Sequence, residues 1–212
     1  MPKHAKPREM PQPAVASRPD WIVVALAVAG VVIASYLTAL KLAGNQAFLC
    51  RDGGGCDIVQ ASRYSVLAGV PTAFWGAVTY AAILVLALLP RTARRWQIAF
   101  MLASSAAAFS IYLTYLSIFV IGATCPYCLA SGAIALLLVV TMVVRRPTGA
   151  GRGAAAAYSP KRLAGLGITA GVTAVLVGAF IFAADFSTPA GYQAALAQHL
   201  AKNEAVFYGA FW

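Results

Sequence analysis

The chain has 212 residues, 61% of them hydrophobic and only 10% charged, with a mean hydropathy of +0.77. Soluble domains run at about 45–50% apolar and about 25% charged, so an ordinary soluble globule and a disordered chain are both excluded. The net charge of +10 would suggest nucleic acid in a soluble protein. No basic stripe interleaved with aromatics accompanies it, and loops on the cytoplasmic side of membrane proteins carry the same excess; nucleic acid is not expected as a partner.

In chain order, residues 1–20 are proline-rich, lack apolar periodicity and read as a disordered cytoplasmic tail. A first apolar run, Trp21 to Leu42, is long enough to span a bilayer. A polar, glycine-rich connection follows, longer than most, and is therefore expected to be functional. The second run is Val70 to Leu89, with Pro71 at a plausible first helical position. A basic turn leads to a third run, Trp96 to Ile121, whose small residues Ser104, Ser105, Ala106, Ala107, Ala108 and Ser110 suit close helix packing. The connection Gly-Ala-Thr-Cys-Pro is so short that the fourth run, Tyr127 to Val144, must be the antiparallel neighbour of the third. A polar linker over 145–162 precedes a fifth run, Leu163 to Ala184. The expected fold is an all-α membrane protein: a four-helix transmembrane bundle over 21–144 with a fifth transmembrane helix over 163–184.

Orientation follows from the basic residues. Twelve of the sixteen lie in the N-terminal tail, the second connection and the 145–162 linker, and four (Lys41, Arg51, Arg63 and Lys202) fall on the opposite side. The N-terminus is expected in the cytoplasm and the C-terminus outside.

That topology puts all four cysteines on the outer side. Cys50 and Cys56 are in the long first loop, and Cys125 and Cys128 are at the mouth of the fourth run. Cysteines serving as core filler would scatter over the spans. Outside the cytoplasm disulfides form and persist. In C-P-Y-C, the helix start sets the first sulfur near free N–H groups and the positive dipole end, which favours the nucleophilic thiolate. Pro126 fits the first helical position, where its missing N–H costs nothing. The second sulfur, three residues on, shares the helix face. In C-R-D-G-G-G-C, the glycines let the chain fold back and keep the loop mobile. Two dithiol pairs on one side suggest a thiol–disulfide relay, whose terminal acceptor would be a lipophilic quinone in an apolar helical pocket. Two structural disulfides and a four-thiolate zinc site also use four cysteines; the five-residue spacing and the oxidising side disfavour zinc, and no metal is expected. A non-catalytic scaffold or transporter with stapled outer loops is the alternative function, although no ionisable residue lies mid-span, where ion paths usually need one.

The order C-x5-C, S-x-Y and G-x-P before the second span, then C-x-x-C opening the fourth, resembles the vitamin K epoxide reductase family. The residues carrying it are Cys50, Cys56, Ser62, Tyr64, Gly69, Pro71, Cys125 and Cys128. The resemblance implies a path in which a reduced thioredoxin-like partner attacks a Cys50–Cys56 disulfide, Cys56 exchanges with Cys125, and Cys128 hands electrons to ubiquinone or menaquinone. It implies that Ser62 supports the loop–pocket geometry and that Thr72 and Trp75 lie near the quinone. Vertebrate members carry a tyrosine four residues after the last cysteine. Gly132 stands there in this chain, so a bacterial-type, quinone-linked disulfide generator in the inner membrane is expected. Bacterial members often append a thioredoxin-like domain. A helix over about Pro189 to Lys202, followed by EAVFYGAFW, resembles the approach to the first strand and active motif of such a domain. The expectation for 185–212 is either that domain's start, cut inside a longer fusion, or a C-terminal tail.

Overall fold

The computed structural model describes residues 19–43, 55–90, 92–146 and 158–184. Its helices are α1 (Trp21–Ala43), the short α2 (Gly55–Ala61), α3 (Thr72–Leu88), α4 (Ala93–Tyr115), α5 (Pro126–Val144) and α6 (Pro160–Ala184). Four of them, α1, α4 with its extension to Ile121, α5 and α6, are long and apolar enough to cross a membrane. α3 has 17 residues and is at the short end of the spanning range. Side chains pointing away from the bundle are apolar: Phe180 is 73% exposed and Val144 76%. Such a surface is stable only against lipid, so the chain is an all-α, multi-pass membrane protein.

α1, α3, α4 and α5 close a ring in which α1 touches α3 and α5, and α4 touches the same two; α6 packs on the outside of α4. The interior is filled by residues such as Ala27, Ile83, Ala103, Ala135 and Leu138. Tyr80 is the largest fully buried side chain. Its ring lies on Gly30 of α1, where an added Cβ would come within 2.6 Å of it. Its hydroxyl donates to the carbonyl of Ser131 in α5 at 2.7 Å. One residue thus joins three helices. The α4–α6 contact uses small residues as the sequence suggests: Ser105 Oγ donates to the Ala170 carbonyl at 3.2 Å, and Gly171 lies against Ala108.

At one end of the bundle, Arg145 after α5 pairs with Asp20 before α1 at 3.3 Å, and Trp96 meets Tyr158 edge-on. The other end carries the elements of the first connection. There the second apolar run differs from expectation. Val70 and Pro71 belong to a two-stranded hairpin, β1 (Val66–Leu67) and β2 (Val70–Pro71), and the helix begins only at Thr72. The hairpin's turn residues Ala68 and Gly69 have φ of 53° and 78°, the two-residue turn with both centres left-handed that suits a twisted ribbon. Thr72 Oγ1 donates to the Tyr64 carbonyl at 3.0 Å and Trp75 Nε1 to the Leu67 carbonyl at 3.3 Å, which ties the hairpin to α3.

Replacing Tyr80 by Phe is expected to cost about 1 kcal/mol, the net worth of one hydrogen bond, and replacing it by Ala about 3–5 kcal/mol through the cavity left behind. Thermal unfolding of the two variants in detergent should rank them in that order; equal midpoints would remove Tyr80 from the bundle's centre.

Candidate active site

The site begins where α4 ends. Its last residues, Leu116–Ile121, widen into a π-helical turn, a feature that recurs at functional sites. Gly122, with φ 73°, stops the helix. Buried Ser117 then fastens the turn, accepting at its carbonyl from the Ala123 N–H at 3.1 Å and donating from Oγ to the Ala123 carbonyl at 2.5 Å. This fixes the chain immediately before Thr124 and Cys125.

Cys125 is the N-cap of α5, with Pro126 in the first turn behind it. Its sulfur accepts from the backbone N–H of Cys128 at 3.4 Å. Caps are usually oxygen acceptors; here a sulfur takes that place and gains the helix's positive end. The Cys125 thiol is lowered to about 7, first by the hydrogen bond from the Cys128 side chain and then by the Cys128 and Tyr127 N–H groups, against the opposing effect of burial. Cys125 and Cys128 are free thiols, the first buried and the second half-buried.

Cys56 reaches the same place from α2. It is 2% exposed and Cys125 1%, and the two share one buried apolar cluster with Leu40, Val59, Tyr127 and Cys128 around them. Cys56 is held in a disulfide. Cys50 lies outside the described residues, as do 1–18 and 185–212. α2 is held over the mouth from three directions. Lys41, at the end of α1, donates to the Gln60 carbonyl, a cation at a helix C-terminus. Ser62 Oγ donates to the Val59 carbonyl at 2.7 Å and closes the helix end. Gly55 touches the backbone of Thr124, where a Cβ would meet the Thr124 carbonyl oxygen and come within 2.8 Å of its nitrogen. Gly55, the last of the three glycines in the stretch, opens α2 and permits a backbone contact beside Cys125.

Below the cysteines lies a cavity of about 460 Å³, in the range of small-molecule sites. Cys125 and Cys128 stand at its mouth, and Thr72, Trp75, Tyr80 and Phe109 are among its walls. Thr72 and Trp75 border this cavity, but their donors are turned to backbone carbonyls, Thr72 to Tyr64 just before the hairpin and Trp75 to Leu67 within it. Ser62 is not part of the cavity wall, and its contacts are with α2 and the turn after it. Gly132 packs against α4, with Ser110 Cβ 3.4 Å from where its Cβ would be, so a large side chain there would displace that helix. Tyr80, Ser117 and Gly55 were not singled out from sequence. The signal for Ser117 was the short turn itself, which needs an internal tie; Gly55 has no signal besides its identity. Among the described residues no group of three or more His, Cys, Asp or Glu could hold a metal ion.

Residues 21–143 match the model of the Vitamin K epoxide reductase family. The chain is similar to Thiol-disulfide oxidoreductase LTO1 of Arabidopsis thaliana, 27% identical over 207 aligned residues, covering 84% of this chain and 53% of that protein. The chain thus spans about half the length of this curated relative.

Two outcomes are expected. Gly55→Ala should slow thiol–disulfide exchange between the loop and Cys125 by at least roughly tenfold, because about 1–3 kcal/mol of overpacking lifts α2 from the turn; an unchanged rate in stopped-flow thiol trapping would reject that role. In a Cys50→Ser/Cys56→Ser background, thiolate absorbance should rise through pH about 7 for Cys125. The thiolate is the favoured form above that value, so loss of its largest stabiliser in Cys128→Ala should move the rise to higher pH; a shift to lower pH would contradict the assignment.

Proposed function

This chain belongs to the vitamin K epoxide reductase family, and we propose that it oxidises the dithiol of a thioredoxin-like partner and passes the electrons through its two cysteine pairs to a membrane quinone. The observation that carries the reading is the burial of Cys56 and Cys125 in one cluster directly above a cavity that Cys128 borders.

In the first step the partner's thiolate attacks the loop disulfide at Cys50, forming a mixed disulfide and releasing Cys56 as thiolate. The partner's second thiol then displaces Cys50, so the partner leaves oxidised and Cys50 and Cys56 are reduced. Cys56 next attacks Cys125 of an oxidised Cys125–Cys128 pair, and Cys50 resolves the Cys56–Cys125 bridge, regenerating the loop disulfide. The inner pair is left as two thiols, the arrangement described here. Those thiols give two electrons and two protons to the quinone, which becomes quinol while the inner disulfide re-forms. Each turn therefore converts one dithiol and one quinone into one disulfide and one quinol.

Chemistry favours this division of labour. Stabilising charge on Cys125 makes it a good leaving group when Cys50 resolves the Cys56–Cys125 bridge, since a lower-pKa thiol departs faster. Cys128, nearly one turn into α5 and bordering the cavity, is assigned as the sulfur that reduces the acceptor. The cavity suits a quinone because its walls are largely apolar, as a lipid-soluble ubiquinone or menaquinone requires. The excess of basic residues on the Asp20–Arg145 end of the bundle supports a cytoplasmic location for that end and an extracytoplasmic one for the cysteines, as in a bacterial inner membrane. Disulfides made there would serve protein folding outside the cytoplasm. The partner is either a separate thioredoxin-like protein or a fused domain.

Cys128→Ala should abolish dithiol-driven quinone reduction by the purified protein while leaving the fold intact. Retained turnover, followed by quinone absorbance, would reject the role given to Cys128. The double variant Cys50→Ala/Cys128→Ala should accumulate a Cys56–Cys125 disulfide, since neither resolving thiol remains; its absence in non-reducing peptide maps would break the path between the pairs.

A further inference from the structure

The sixth helix was expected only to anchor the chain, yet it meets the cavity. Ala174, Val177, Gly178 and Ile181 line it, and their spacing of three, one and three residues puts them on one helical face. Phe180, on another face, is 73% exposed. Cys128 on α5, Tyr80 on α3, Phe109 on α4 and this face of α6 line the same cavity.

Two aromatic contacts fix the helix there. Phe182 stacks on Phe109 with ring centroids 6.4 Å apart and meets Tyr64 edge-on at 5.4 Å. Both partners border the cavity. Gly178 leaves the space that the Phe109 ring occupies, since a Cβ would contact Cε2 and lie 3.1 Å from Cζ. Ser105 of α4, another wall residue, is bonded to the α6 backbone at Ala170. The helix is therefore seated on α4 and beside the hairpin, and one of its faces contributes to the cavity wall.

The occupant of that far end follows from continuity. A quinone whose ring must come near Cys128 has to lead its hydrocarbon tail out of the ring of helices, and the apolar α6 face is the part of the cavity wall that lies outside that ring. We propose that Ala174, Val177, Gly178 and Ile181 form the tail-binding wall of the acceptor cavity and set the site's preference for quinone tail length. This rests on the quinone-reducing function proposed above. The four residues touch the tail, not the reacting ring.

The test uses the full chain, a small dithiol as donor, and two quinones sharing the head group the wild type reduces, one with a single isoprene unit and one with four. Ala174→Trp should raise KM for the long-tail quinone by about tenfold, the scale on which an apolar pocket discriminates. The rise in the short-tail KM should be at most about a third of that, so that the ratio of the two KM values shifts. Thr173→Trp, on an exposed position of the same helix, should change neither. Should Ala174→Trp fail to fold, Ile181→Ala decides, with about a threefold rise in long-tail KM alone. Unchanged long-tail KM in the cavity-facing variants, an equal rise for both quinones, or an equal effect of Thr173→Trp overturns the proposal. A wild type that reduces neither quinone overturns the function on which it rests.

Discussion

The close approach of the Gly55 backbone to Thr124 governs the rest of the site. A helix laid across the end of a bundle ordinarily sits at side-chain distance from the turn beneath it. Here no Cβ intervenes, and the first turn of α2 rests on backbone. Cys56, the next residue, is thereby carried into the same buried cluster as Cys125. Everything else at that end reinforces the contact. Ser117 and Gly122 make the lower surface rigid, while Lys41 and Ser62 hold the far end of α2.

Rigidity below and chemistry above are linked through α5. One helix start supplies the cap that Cys125 occupies, the N–H that its sulfur accepts, and the face on which Cys128 borders the cavity. Burial alone would raise the Cys125 thiol and make it inert; the hydrogen bonds at the helix start outweigh burial and bring it down instead. The same helix is held to α3 by the Tyr80–Ser131 bond, so the inner pair and the cavity wall move as a unit. Two neighbouring buried cysteines and an apolar cavity beside them suit the electron transfer from thiols to a lipid-soluble acceptor proposed above.

Much of this was legible in the chain itself. The spans were, because twenty-odd apolar residues admit few solutions in lipid. The C-x-x-C at a helix start was also legible, since Pro126 and the short turn before it mark the boundary from both sides. The elements of the first connection were not. A seven-residue helix and a pair of two-residue strands have no periodicity long enough to read. Pro71 suits a helix start, yet it ends a strand, because the left-handed turn at Ala68–Gly69 pairs Val66 with it. Thr72 and Trp75 were proposed through a resemblance, and their hydrogen bonds to Tyr64 and Leu67 depend on that unseen turn. Tyr80 lay within an apolar run where one hydroxyl carries no signal; only the tertiary approach of α5 gives it a partner. The face of α6 that meets the cavity was hidden for the same reason, as a run of small and apolar residues looks alike on every side.

The account stands or falls on whether the two pairs act in series with the inner pair alone facing the acceptor. Single-turnover stoichiometry tests this directly. Fully reduced chain, freed of reductant and mixed with excess quinone, should yield two quinols per chain from its four cysteines. The Cys50→Ala/Cys56→Ala variant should yield one at an undiminished rate, and the Cys125→Ala/Cys128→Ala variant none. Quinol formed by the variant lacking the inner pair would contradict the account.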